Sequence, residues 1–260
     1  MRVGLVQLAA NLVTAGDCHH YAAYVRDAAA AGCRWVVFPE LSDTGYDLAG
    51  RDLCTPAHEM AVADAAKTHQ VWVFAGMCER SVEGQWFDAL KVFSPAGRLA
   101  GCYRKLHLFR DAQVDETHYF EAGSRPVIID VDGVKVGLCV CFDLRFPTLY
   151  RAYAVSGAEV LLTVAAWPMA RIADWRLLQC ARALENQAYT LGVNYCGTKG
   201  RFCFGGSSLA CGPDGSELAV GNPFDAELVV CDLDIERIGK VRQSLPVLAA
   251  ERDVFGGKRE

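Results

Sequence analysis

Short, unbroken apolar runs alternate along this chain with longer alanine-rich stretches, and that rhythm restricts the fold more than any other feature. Parallel strands need a crossover of a dozen or more residues between them, usually a helix. A first strand at Met1–Leu8 is followed by a helix over Cys18–Ala31 that stops at Gly32, then a strand at Arg34–Phe38. A second helix near Pro56–His69 leads to a strand at Val71–Cys78. Two hairpins interrupt the pattern. Phe87–Phe93 and Arg98–Tyr103 are joined by Ser94-Pro95-Ala96-Gly97, and Val127–Val131 and Val134–Val140 by Asp132-Gly133. A helix around Phe146–Ser156, a strand at Glu159–Val164 and a helix at Ala173–Ala188 resume the rhythm. Tyr189 to Leu233 is again strand-rich, with a turn at Gly212-Pro213-Asp214-Gly215. The expectation is an α/β fold whose sheets mix parallel and antiparallel neighbours.

The 260 residues contain no linker, low-complexity tract or internal repeat, so a single domain over 1–260 is expected. Periodicity fades from about Ile238, and that end is read as a tail that packs on a partner subunit. A net charge of -5, without basic runs carrying interleaved aromatics, gives no electrostatic case for nucleic acid or an anionic membrane. The longest uncharged apolar stretch, Val160 to Ala170, is too short to span a bilayer and contains Pro168. Met1–Leu8 reads as a strand rather than a leader, which makes a cytoplasmic protein the expectation. Twelve cysteines suggest disulfides or a metal, but no Cys-x-x-Cys pair or zinc-finger spacing occurs. Most of them sit inside apolar runs, where free cysteine behaves as a small core residue.

Three polar residues share one setting. Glu40 ends Trp35-Val36-Val37-Phe38-Pro39-Glu40, Lys105 ends Leu99–Lys105, and Cys141 follows Val134–Val140. Open α/β sheets place their chemistry at the carboxyl ends of strands. A thiol becomes a nucleophile as thiolate, so it needs a base or a nearby cation. Glu40 fits a general base, Lys105 a cation that also stabilises an oxyanion, and Cys141 the nucleophile. Taken singly, each has a plainer reading: a strand-end surface acid, a solvated cation beside Arg104, and a core cysteine. Strand-end placement alone leaves the two readings evenly matched.

The longer blocks carry more. Phe38-Pro39-Glu40 with Gly45-Tyr46, Arg104–Phe109 (RKLHLF) and Cys141–Pro147 (CFDLRFP) resemble, in order and approximate spacing, the three signature blocks of the nitrilase (carbon–nitrogen hydrolase) superfamily. The resemblance runs from Val3 to at least Tyr195 and more weakly to Leu233. It implies a four-layer αββα sandwich of two mixed sheets with helices outside, and subunits paired through helix faces into a homodimer or higher oligomer. It implies Glu40 as base, Lys105 as oxyanion donor and Cys141 as nucleophile acting on a small-molecule amide, with no cofactor and no metal. It also implies a second glutamate between lysine and cysteine, which the matching position gives as Glu121. The plain alternative for Glu121 is a solvated loop acid before Gly123.

Trp167–Arg171 (WPMAR), Trp175 and Ala181–Tyr189 (ARALENQAY) resemble the omega-amidase-type branch. Its members hydrolyse small dicarboxylic monoamides such as 2-oxoglutaramate and 2-oxosuccinamate. A substrate carboxylate would want an arginine fork, and Arg171 and Arg145 are the candidates. Arg145 reads more simply as the partner of Asp143 or Glu40, and Trp167 equally well as pocket wall or core filler. Phe142 stands where many relatives carry tyrosine, leaving the backbone N–H that would join an oxyanion hole. Cys139, two residues before Cys141, is unusual there. An N-carbamoyl-amine hydrolase, a nitrilase and a non-catalytic binding protein on this fold remain alternatives. A papain-like protease lacks its cysteine signature, and Gly205-Gly206-Ser207-Ser208-Leu209 lacks the last glycine of a serine-hydrolase elbow.

Overall fold

The structure is a computed structural model that describes residues 1–252. In chain order the elements are β1 (Arg2–Gln7), α1 (His19–Ala30), β2 (Trp35–Phe38), α2 (Pro56–His69), β3 (Trp72–Arg80), β4 (Trp86–Phe93) and β5 (Leu99–Arg104). Next come β6 (Ile128–Val131), β7 (Val134–Val140), α3 (Pro147–Val155), β8 (Val160–Val164), α4 (Ile172–Asn186) and β9 (Tyr189–Val193). The chain continues through β10 (Cys196–Lys199), β11 (Phe202–Gly205), β12 (Leu209–Cys211), β13 (Glu217–Val220), β14 (Glu227–Asp232) and α5 (Glu236–Ser244).

Two six-stranded sheets form, in the orders β14-β1-β2-β3-β4-β5 and β13-β12-β9-β8-β7-β6. Each has three parallel strands at its centre (β1, β2, β3 and β7, β8, β9) and antiparallel strands at its edges. The mixed sheets and outer helices expected from the sequence are therefore present. Alternation along the strands assigns the layers. In β7, β8 and β9, Leu138, Leu162 and Leu191 pair in register and join one core cluster with Leu5, Val37 and Phe74 of the other sheet. The intervening positions face helices: a Cβ on Gly137 would lie 2.7 Å from the Tyr153 ring of α3, and one on Gly192 2.7 Å from Trp175 of α4. On the outer side of the first sheet, Val36, Phe38 and Val73 pack with Tyr21 and Val25 of α1 and Val62 of α2. The result is four layers, helix–sheet–sheet–helix. Strands β2, β8 and β9 are buried along their whole length because both faces are covered.

One staple ties the sheets at their margin. Asp132, in left-handed conformation at the β6–β7 turn, accepts from Arg34 Nη2 (2.9 Å) and Trp72 Nε1 (2.9 Å). The segment expected to form a C-terminal tail from about Ile238 begins within α5, which ends at Ser244 and makes contacts to its own chain. Ile238 is buried, and Arg242 donates to the carbonyls of Gln187 (3.2 Å) and Ala158 (3.1 Å). The last eight residues of that tail, 253–260, lie outside the described residues. No described helix is long and apolar enough to cross a membrane.

Candidate active site

The carboxyl ends of β2, β5 and β7 converge between the sheets and bring Glu40, Lys105 and Cys141 together. Pro39 ends β2 and turns Glu40 inward, where it is fully buried. The turn is tight: a Cβ on Gly76 of the neighbouring β3 would lie 2.4 Å from the Pro39 carbonyl and 2.5 Å from Glu40 Cα, so only glycine fits there. Glu40 Oε1 accepts from Lys105 Nζ at 2.6 Å, and Oε2 accepts from the Ala166 N–H at 2.7 Å.

Lys105 follows β5, with its backbone N–H held by the Asp88 carbonyl at 2.9 Å. Its ammonium donates to Glu40, to Glu116 (2.8 Å to Oε2) and to Asp88 Oδ2 (3.2 Å), using all three of its protons on three fully buried carboxylates. Burial alone would drive Lys105 toward the neutral amine. Glu116, Glu40 and Asp88 together reverse that and hold its pKa well above the usual lysine value, so it remains a cation and cannot act as base. The single cation does not neutralise three acids. Burial first, partly countered by Lys105 and reinforced by Glu40 and Glu116, raises Asp88 well above the usual carboxylate range. Burial likewise raises Glu116, against the pull of Lys105. Asp88 makes the longest of the three contacts.

Glu116, not Glu121, occupies the second-glutamate position. Glu121 is exposed and joins the structure only through its backbone N–H, which donates to the Trp86 carbonyl at 2.8 Å. Five residues earlier, Asp115 caps a one-turn 3-10 helix by accepting from the Thr117 N–H, and that turn aims Glu116 at Lys105. Glu116 also accepts from Tyr46 Oη (3.0 Å) and from the Phe109 N–H (2.7 Å).

Cys141 begins a one-turn 3-10 helix directly after β7, and its φ of 46° places it in the left-handed region that favours glycine. The local turn is held by Asp143. That buried carboxylate accepts from the Val140 N–H (2.9 Å), Tyr103 Oη (2.7 Å), the His107 N–H (3.1 Å) and His107 Nδ1 (2.7 Å), and so ties β7, β5 and the loop after Lys105 to one point. Burial, with Glu40 adding and Lys105 opposing, pushes the Cys141 thiol well above its ordinary pKa. The Ala166 N–H that donates to Glu40 also draws the Cys141 pKa down, so the two side chains flank one amide. The resting group is a neutral thiol with the Glu40 side chain close by. Cys139 lies fully buried on the other face of β7, its thiol also raised by burial.

Cys141 opens into a cavity of about 350 Å³ whose wall includes Phe142, Trp167, Phe109, Arg145, Arg171 and Arg201. Trp167 serves as both wall and core: it is 3% exposed, and its Nε1 donates to the Arg171 carbonyl at 2.8 Å. Arg145 pairs with neither Asp143 nor Glu40. It reaches Asp174 of α4 at 2.7 Å and lies over the Trp167 ring at 5.0 Å. Arg171 lies over Phe109, with Asp111 at 3.6 Å. Arg201, on the β10–β11 hairpin, donates to the Gln113 carbonyl and has no carboxylate within ion-pair distance among the described residues. Sequence reasoning passed over Asp88, Glu116 and Arg201, and gave Asp143 to Arg145 instead of to the turn at Cys141. Only the capping Asp115 before Glu116 was a readable local signal.

With this geometry in place, comparison with known proteins is direct. The family profile described as carbon-nitrogen hydrolase matches residues 2–243, and the chain belongs to that family. It is therefore a hydrolase of carbon–nitrogen bonds other than peptide bonds. It is 34% identical over 216 residues to the 2-oxoglutaramate amidase of Bacillus subtilis (strain 168), covering 82% of each chain. It is 27% identical over 263 residues to Omega-amidase NIT2 of Homo sapiens, covering 96% of this chain and 95% of that one. The crystal structure of a carbon-nitrogen hydrolase from Helicobacter pylori G27 superposes with a TM-score of 0.90 at 26% identity, covering 97% and 95% of the two chains.

Proposed function

We propose that the chain is an omega-amidase-type enzyme that converts a small dicarboxylic monoamide to its acid and ammonia through a thioester on Cys141. The observation that carries this reading is a neutral thiol, set beside a buried carboxylate, opening into a cavity walled by three guanidinium groups. Glu40 takes the thiol proton as sulfur attacks the amide carbon. The oxygen that gains charge is stabilised by Lys105 and by the Phe142 N–H, a first-turn amide with no acceptor inside its own helix. Asp88, at 3.2 Å the longest of its three contacts, is the partner that the ammonium releases most easily. Glu40 then passes its proton to the departing nitrogen, the C–N bond breaks, and ammonia leaves. A water gives its proton to Glu40 and attacks the thioester, and the acid departs as the thiol is restored. Glu116 holds Lys105 in place and does not touch substrate.

The substrate carboxylate is assigned to Arg171, because its existing contact with Asp111 is long and easily exchanged for a fork-like pair. A contact of that kind contributes roughly 1.5–3 kcal/mol. Arg171→Ala should therefore raise KM for 2-oxoglutaramate about ten- to a hundredfold and leave an uncharged amide of similar length nearly unchanged. Equal losses on both substrates would make Arg171 structural. A panel read by ammonia release tests the reaction itself: the monoamide should exceed an N-carbamoyl amine and a nitrile, and preference for either of those would overturn the assignment. We further propose that subunits pair through the outer face of α4, where Leu177 and Leu184 are exposed two turns apart.

A further inference from the structure

Beyond Glu40 the chain enters a left-handed turn at Leu41 and directs Asp43 into the protein. Asp43 is 1% exposed; Oδ2 accepts the Cys78 N–H of β3 at 2.9 Å, while Oδ1 has no hydrogen-bond partner. A buried carboxylate oxygen left unpaired is costly and calls for an explanation. Two thiols face it, Cys78 on β3 and Cys54 in the short link before α2, and one donor atom from each of the three residues lies within 4.8 Å of the others. In the first turn of α2 the buried His58 leaves Nε2 without a partner, while its Nδ1 lies 3.2 Å from the Thr55 N–H and 3.3 Å from the Thr55 carbonyl. Cys141 is not part of this group. The other close carboxylate cluster, Glu40–Asp88–Glu116, already holds the Lys105 ammonium at its centre.

Two thiolates and a carboxylate, with imidazole in reserve, form the donor set that tetrahedral zinc selects over magnesium or calcium. We propose that Asp43, Cys54 and Cys78 bind one thiophilic divalent cation, zinc(II), separate from the catalytic centre. Water or His58 Nε2 fills the fourth position. With the metal on Nε2, the proton sits on Nδ1 and donates to the Thr55 carbonyl, the outer contact that orients a ligating histidine. On binding, two S–H bonds break, two Zn–S bonds form, and two protons pass to solvent. The titratable groups facing the site from neighbouring elements are the Lys91 ammonium of β4, which bonds Glu59 and lies 3.5 Å from the Cys78 carbonyl, Asp88 of the same strand, Tyr21 of α1, Tyr195 after β9 and the imidazole of His58. Hydrogen bonding between the thiols, burial and Asp43 leave Cys78 well above its ordinary pKa. Cys54, though drawn down by its bond to Cys78, is raised on balance. The thiols are therefore protonated without the metal, and affinity should fall about a hundredfold per pH unit on acidification, the slope for two released protons. Because Asp43 and Glu40 share one loop, the cation would stiffen the segment that holds the base.

The test is titration of the chelator-treated full chain with cobalt(II). One equivalent should bind, giving sulfur-to-metal charge transfer and the intense visible bands of tetrahedral cobalt, and zinc(II) should displace it. Cys54→Ser and Asp43→Asn should each weaken binding tenfold or more, whereas Cys203→Ser and Cys141→Ser should leave it unchanged. In the unaltered protein zinc should protect Cys54 from alkylation, which needs no variant to fold. Absence of the charge-transfer band, its persistence in Cys54→Ser, its loss in Cys141→Ser, or equal labelling of Cys54 with and without zinc would each overturn the site.

Discussion

Lys105 shows how little freedom the proposed catalytic residues have. Its ammonium keeps three buried carboxylates in place, and removing one partner from such a group costs about 3–5 kcal/mol. Lys105→Met should thus be destabilised, and by an amount that depends on pH. Asp88 and Glu116 have folded pKa values above their unfolded ones, so the stability they contribute is complete below the unfolded carboxyl range and is lost as pH rises above it. Without the lysine their pKa values rise further. The variant should be most stable in mild acid, and thermal melts that improve steadily toward neutral pH would contradict the charge count. The same charges set the reactivity of Cys141. Glu40 raises its pKa and Lys105 lowers it. Alkylation by iodoacetamide should accelerate at lower pH in Glu40→Gln than in the unaltered protein, and at higher pH in Lys105→Met. Glu40→Gln should also lose about 10²–10⁴-fold in turnover, the range for a positioned acid–base group. Glu116→Gln should cost at least tenfold in kcat, and Glu121→Gln should change little; the reverse order would restore the assignment made from sequence.

At the scale of elements, what the sequence revealed and what it hid divide along periodicity. β2 and β8 were legible as unbroken apolar runs because both their faces are covered, β7 as a run broken only by the exposed Lys135, and Asp132-Gly133 announced its hairpin because that turn needs left-handed residues. Glu40, Lys105 and Cys141 were legible because each ends a strand-like run, Glu40 after Pro39 and the other two directly. Glu116 was not, since residues 105–127 contain no strand or long helix, and without a period nothing in the order of residues says which acid turns inward. The same gap explains α5. Ile238 is its one buried side chain, so the helix has no apolar stripe to read. Arg145 had a readable charge but no readable partner, because Asp174 lies one helix away. Gly76 was equally silent, although β3 must be bare there for Glu40 to turn. Gly76→Ala should destabilise by about 1–3 kcal/mol, the usual cost of overpacking, and depress turnover beyond what partial unfolding explains. Unchanged kcat in the folded fraction would show that the Pro39–Glu40 turn tolerates displacement.

Over the whole molecule the two sheets are each covered on their outer face by helices of the same chain, and α4 leaves Leu177 and Leu184 exposed. If they meet a second subunit, Leu177→Asp with Leu184→Asp should reduce the mass seen by light scattering from two chains to one, and an unchanged mass would place any interface elsewhere. The left-handed backbone at Cys141 has a consequence that belongs to the whole fold and not to the reaction. An L-residue held there carries about 1–2 kcal/mol of strain, which glycine avoids at roughly 0.5–1 kcal/mol of extra chain entropy. Cys141→Ala and Cys141→Gly should be equally inactive, yet the glycine variant should melt no lower than the alanine one, inverting the usual order of those two residues. The position of the proposed nucleophile would then be readable from calorimetry as one of seven along the described chain where glycine relieves backbone strain.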